Sequence, residues 1–238
     1  MEFRNAYEDK TRAESYAKLK FPGTYYLAFR DLPELIAKHV TGDTALDFGC
    51  GAGRSTRFLQ NLDFQTVGVD ISSQMLELAR QFDPAGEYLL VGDGDLARVH
   101  GRRFDLILLA FTFDNIKSRD AKIKLFSAFK QLLNAGGKVI NLVSTPDIYL
   151  NEWLSFTTKD YPENRQAKDG DVVRIITTAV EDKRPVEDII FSDKAYRDVY
   201  DQADLKLIQT HLPLGKANEP FAWVNETKIA PWAIYVLG

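Results

Sequence analysis

Cysteine is nearly missing from this chain: the one copy in 238 residues is Cys50, so no intrachain disulfide can form. That usage fits a reducing compartment. Long apolar runs are also missing. No stretch approaches the length needed to span a bilayer, and the N-terminus is charged and polar rather than signal-like. The expectation is a soluble, cytoplasmic protein without membrane partners. Positive charge is not in surplus: 30 Lys and Arg stand against 34 Asp and Glu, a net charge of −4. With a pI of about 5.5, the surface is a poor match for a nucleic-acid backbone, which needs a basic face. No internal repeat or low-complexity segment is visible. Asp93 and Asp95 lie two residues apart, but no third ligand group follows at a sensible spacing, so no metal is expected.

What the chain does have is hydrophobic content, 45% of its residues. That is enough for one sizeable core and a single domain. The most informative dozen residues are 45–56, Ala-Leu-Asp-Phe-Gly-Cys-Gly-Ala-Gly-Arg-Ser-Thr. A short apolar run closes on Asp47, and Gly49, Gly51 and Gly53 follow before an amphipathic segment begins. Glycine tolerates positive φ and lets a ligand approach the backbone, which suits a strand, a tight turn and a ligand-facing helix start. The spacing differs from the dinucleotide fingerprint, whose third glycine follows two intervening residues. A second apolar run, residues 65–70, closes on Asp70, 23 positions after Asp47. A carboxylate at such a strand end can accept both hydrogen bonds of a ribose diol. Ser72 or Ser73 then caps a helix carrying Met75, Leu76, Leu78, Ala79 and Phe82. Three more strands are expected at residues 88–91, 104–109 and 138–143. They open into Gly92-Asp93-Gly94-Asp95, into Ala110-Phe111-Thr112-Phe113-Asp114-Asn115, and out of the core.

The G-x-G-x-G run with its upstream Asp47, then Asp70, the Gly-Asp-Gly-Asp turn and the Asn134–Gly137 stop, resembles in order and spacing the class I S-adenosylmethionine-dependent methyltransferases. The resemblance covers about residues 40–145. It implies an α/β fold, a seven-stranded and mostly parallel doubly wound sheet of order 3-2-1-4-5-7-6 with the last strand antiparallel. It implies S-adenosylmethionine as cofactor and S-adenosylhomocysteine as product. By the same resemblance the 49–53 loop lies under the methionine part, Asp70 holds the ribose, and Asp93 with the Gly94–Asp95 backbone meets the adenine edge. Ile71 and Met75 flank the adenine ring. Asp47 is an acid near the amino group or sulfonium, acting directly or through water. Ala110 and Phe111 belong to the same crevice, and Tyr16 offers an aromatic wall and a hydroxyl.

Around this core, residues 41–145, the chain divides into an N-terminal helical cover (1–40), a lid insertion (146–191) and a closing helix and strands (192–238). Helices are expected over 8–19 and over 25–40, the second kinked at Pro33. The first, set off by Pro22-Gly23, reads as a mobile cover that orders over bound cofactor. Within the insertion, residues 171–180 and 186–191 read as an antiparallel hairpin.

The expected reaction is methyl transfer to a small organic acceptor, with O-, N- and C-methylation all open. A cofactor-binding regulatory or assembly protein is the alternative from another class. Oligomeric state is open between monomer and homodimer. Methyl transfer from a sulfonium needs a base only where the acceptor must lose a proton, and the candidates are His211, Asp114, Glu152 and Tyr149. His211 falls on a strand at the sheet's far side, which favours a structural role. No Asn-Pro-Pro-Tyr motif follows the fourth strand, so nothing supports methylation of an adenine or glutamine amide. Tyr25, Phe113, Tyr149 and Trp153 are the candidate acceptor-pocket aromatics. Cys50, between glycines, reads as a small buried filler rather than a nucleophile.

Overall fold

Five apolar segments form the parallel heart of the fold in the computed structural model, which describes residues 9, 13–15 and 23–238. They are β1 (Thr44–Phe48), β2 (Gln65–Asp70), β3 (Glu87–Leu90), β4 (Phe104–Ala110) and β5 (Leu133–Ser144). Their near-continuous apolar runs, as in Leu106–Leu109, reflect burial on both faces by helices. Two further strands, β9 (Leu207–His211) and β10 (Trp232–Leu237), complete the sheet in the order β3-β2-β1-β4-β5-β10-β9. β10 runs antiparallel to both neighbours, and Trp232 pairs with Ser144 at one end. The order expected from the resemblance is therefore observed.

The helices are α1 (Thr24–Arg30), α2 (Leu32–His39), α3 (Arg54–Gln60), α4 (Ser73–Phe82), α5 (Arg119–Leu132) and α6 (Asp193–Gln202). One face of the sheet packs on α5 and α6 through Phe126, Phe129, Tyr196, Val199 and Tyr200. The other packs on α1 and α2 through Leu27, Phe29, Leu32 and Ile36. The single helix expected over 25–40 is two helices, divided at Asp31, with Pro33 in the first turn of the second rather than at a kink. Asp31 is pinned there by Arg30 at 2.6 Å and by His211 Nε2 at 2.7 Å. Burial raises its pKa, but these two partners outweigh it and hold the carboxyl below the usual range.

The lid insertion carries a second sheet, β6 (Phe156–Thr157), β7 (Val172–Thr177) and β8 (Val186–Ile189), in the order β6-β7-β8. The hairpin is as expected; the two-residue β6 was unreadable because it is shorter than any alternation. Glu226 ties lid, closing loop and first helix together. Although fully buried, it accepts from Thr24 Oγ1 and Leu154 N at 2.7 Å on one oxygen, and from Val224 N and Asn225 N at 2.8 and 3.1 Å on the other. The helix expected over 8–19 and its Tyr16 lie almost wholly outside the described residues. Of the residues described there, Ala13 packs on Ala52 and Met75, and Asp9 pairs with Arg184 at 3.0 Å.

Candidate functional site

A cavity of about 1420 Å³ opens where the carboxyl ends of β1, β2 and β4 meet the lid. Strand ends at the switch point of a parallel sheet are where such folds receive ligands. Its two halves are built differently.

The half over β1 and β2 is made of turns. Gly49 and Gly51 have φ of 75° and 54°, and a Cβ on Gly49 would stand 2.3 Å from Thr112 Oγ1. Only glycine fits that approach. Asp70 braces the loop from across the crevice, accepting from Gly51 N on one oxygen and Ser72 N on the other, both at 2.8 Å. Burial pushes its pKa up and these amides oppose the shift. Ser72 caps α4 through Met75 N, and Ile71, Met75, Val91, Asp93 and Gly94 complete this wall. Cys50 lines it too, its thiol pushed well up by burial, which suits a filler rather than a thiolate nucleophile.

The half under the lid is made of side chains. Tyr25, Phe111, Phe156 and Trp232 form an aromatic cluster with centroids 4.8–5.9 Å apart. Phe111 sits at φ 64°, which is rare for a bulky residue and costs of order 1–3 kcal/mol, so the sharp turn after β4 is held by its surroundings. Arg54 lays its guanidinium 5.5 Å from the Tyr25 and Phe29 centroids. Beneath the rings is a buried polar floor. Asp114 accepts from Ser144 N at 3.0 Å and Ser144 Oγ at 2.8 Å, and the Tyr149 hydroxyl donates to Asp188 at 3.1 Å. Lys122, fully buried behind them, donates to the Phe113 carbonyl. Burial pushes Asp114 up to about 6, against the Ser144 hydrogen bonds and the Lys122 charge. The Lys122 ammonium is pulled down by the same burial to about 8, against Asp114 and Asp188.

Of the residues singled out from sequence, Gly49, Gly51, Asp70, Ile71, Met75, Asp93, Gly94, Ala110, Phe111, Tyr25, Asp114 and Tyr149 all line this one cavity. Others do not. Asp47 is fully buried off the wall, its Oδ2 accepting from Ser55 and Thr56 at 2.7 and 2.6 Å, so it anchors α3 to β1. Its Oδ1 has no hydrogen-bond partner, and burial raises its pKa to about 6. Gly53 serves packing: a Cβ there would meet Tyr88 Oη at 2.6 Å. Asp95 caps the following turn through Ala97 N. Phe113 points away from Phe111 into the opposite core, 4.5 Å from Phe126. Trp153 is core as well, its indole bonded to the Ile148 carbonyl. Glu152 accepts from Thr157 and Thr158 within the lid, and His211 pairs with Asp31. Arg54, Ser144, Asp188 and Trp232 line the cavity unforeseen, with Lys122 behind them. The only local signal was Trp232 at the start of the last strand.

The comparisons fit this geometry. Residues 46–141 match the family described as "Methyltransferase domain". The family match is confined to this segment. An "Uncharacterized methyltransferase" of Alkaliphilus oremlandii is 25% identical over 122 residues, 50% of this chain and 55% of that protein. A demethylmenaquinone methyltransferase of Tropheryma whipplei is 28% identical over 156 residues, 63% and 64% of the two chains. The chain thus spans less than two thirds of either curated relative. The crystal structure of an S-adenosylmethionine-dependent methyltransferase from Clostridium acetobutylicum superposes with a TM-score of 0.64 at 16% identity, over 98% of each chain. At that identity the likeness is one of fold.

Among the described residues, no helix is long and apolar enough to cross a membrane. Nor do three or more His, Cys, Asp or Glu residues come together to hold a metal there.

Proposed function

We propose that the chain transfers a methyl group from S-adenosylmethionine to a small organic acceptor. The observation that carries this reading is the two-part cavity: a backbone cradle with a braced carboxylate on one side opens directly into an aromatic chamber on the other. The cradle suits the cofactor in shape and donor chemistry. Gly49 and Gly51 turn bare backbone at positive φ along the cavity wall, Asp70 keeps lone pairs for a ribose diol after its two amide bonds, and Ile71 and Met75 give apolar walls for a flat ring. Asp93 and the Gly94 backbone would meet the adenine edge.

When bound, S-adenosylmethionine supplies the activated methyl and its own leaving group. The protein's share is alignment, which in well-oriented systems is worth roughly 7–11 kcal/mol. Phe111, on its strained turn between the halves, would set the distance between them, and the rings of Tyr25, Phe156 and Trp232 would keep water from the reacting atoms.

Calorimetry with S-adenosylhomocysteine, followed by labelled methyl transfer from S-adenosylmethionine across a panel of small acceptors, tests the reading. Saturable binding and label in a small product are expected. Binding of NAD in preference to S-adenosylhomocysteine would overturn it.

A further inference from the structure

Resting on that reading, we infer that the acceptor is an amine that enters the aromatic chamber as an ammonium ion and is received by Asp114, to which it yields a proton so that the freed nitrogen lone pair takes the methyl as the methyl–sulfur bond breaks. The chamber combines the two features that select an organic cation. Negative ring faces attract a cation within about 6 Å, and Tyr25, Phe111, Phe156 and Trp232 all bound the same space. Arg54 already stands 5.5 Å from the Tyr25 and Phe29 rings on the cradle side, so a cation is accommodated at this edge of the cluster.

The second feature is the carboxylate on the floor. Asp114 is almost completely buried and lines the cavity. The two shorter Ser144 bonds fall on Oδ2, whereas the contact of Oδ1 to the Ser144 amide is long, at 3.3 Å. A hydrogen-bond donor arriving from the chamber therefore has an acceptor to meet. The neighbouring hydroxyl of Tyr196, itself buried, also faces Asp114 and favours its charged form. A neutral alcohol would gain one hydrogen bond at this floor. An ammonium gains a charge-assisted one together with the ring faces, and charge-assisted bonds are roughly twice as strong. Lys122 is spent on the Phe113 carbonyl, and the Phe191 ring covers it at 4.5 Å, so its charge stabilises the floor from behind rather than confronting the ligand.

The test compares amines with alcohols of the same shape in wild-type protein saturated with S-adenosylhomocysteine. Benzylamine, phenethylamine and tryptamine are each titrated beside the corresponding alcohol at neutral pH, with binding read by calorimetry. At least one amine is expected to bind about tenfold or more tightly than its alcohol, and Asp114→Asn is expected to erase that advantage. The wild-type ratio carries the result whether or not the variant folds. Equal affinities, tighter alcohols, or no saturable amine binding would overturn the inference. If S-adenosylhomocysteine itself fails to bind, the cofactor assignment has failed instead, which separates the two.

Discussion

The two halves of the cavity solve the problem of holding a ligand in opposite ways. The cradle over β1 and β2 is backbone held by one carboxylate, and its parts lie within the first two strand-to-helix turns. The chamber under the lid is side chains from five separate segments, Tyr25, Phe111 with Asp114, Ser144, Phe156 and Trp232, and it exists only once the whole chain has folded. A backbone cradle can be retained while its neighbours change. A side-chain chamber can be rebuilt for another acceptor without disturbing the cradle. Donor binding and acceptor choice should therefore separate under mutation.

The largest effect should fall on the fold that makes the chamber. Glu226→Ala leaves four donors without their shared buried acceptor, which should cost roughly 3–5 kcal/mol of stability. Chemical denaturation reads this directly. Because Glu226 is remote from the cradle, whatever folds should still bind S-adenosylhomocysteine.

Next comes Asp70→Ala. It frees the Gly51 and Ser72 amides and would remove the proposed ribose contacts, and it should weaken S-adenosylhomocysteine binding by roughly 2–4 kcal/mol. Amine binding in the chamber should survive in this variant, and its loss would show that the halves are not independent.

A smaller effect is expected from pH. Asp114 titrates at about 6 in the folded protein, above the ordinary 3.8. It is therefore charged above about pH 6 and becomes neutral as pH falls through that value, so amine affinity should decline between pH 7 and pH 5. Lys122, Asp188, Tyr149 and Tyr196 share this floor; Lys122, near 8, stays protonated through that window, and the two phenols stay neutral. The raised pKa of Asp114 means that its charge opposes folding above pH 6, so this carboxyl destabilises the protein at neutral pH and ceases to do so in acid. Binding and stability should therefore move in opposite directions with pH at this one group.

The smallest effect separates a cap from a contact. Asp95→Ala should cost about 0.5–1 kcal/mol through the lost Ala97 bond and leave S-adenosylhomocysteine affinity unchanged. Asp93→Ala, two residues away on the cavity wall, should weaken it.

The same contrast governs what the sequence discloses. Gly49, Gly51, Asp70 and Met75 were readable because a strand, a tight turn and a capped helix follow one another locally, each with its own residue chemistry. The seven-strand order came from resemblance, not periodicity, since apolar runs buried on both faces do not say which run lies beside which. Lys122 and Ser144 were invisible for a different reason. Each is an ordinary residue in its own segment, a lysine on a helix and a serine at a strand end, and becomes notable only when Asp114 arrives between them. Phe113 and Trp153 misled because an aromatic beside a loop can face either the chamber or the core. The turn after β4 sends Phe111 one way and Phe113 the other. Asp47 stands at the expected strand end yet faces Ser55 and Thr56, a choice fixed by side-chain rotation rather than by position.

The separation of the two halves is tested most directly by titrating S-adenosylhomocysteine into wild type, Asp70→Ala and Asp114→Asn under one set of conditions. Affinity should fall about 30-fold or more in Asp70→Ala and change less than about threefold in Asp114→Asn. Equal losses in both variants, or an unchanged affinity in Asp70→Ala, would contradict the division of the cavity into a donor cradle and an acceptor chamber.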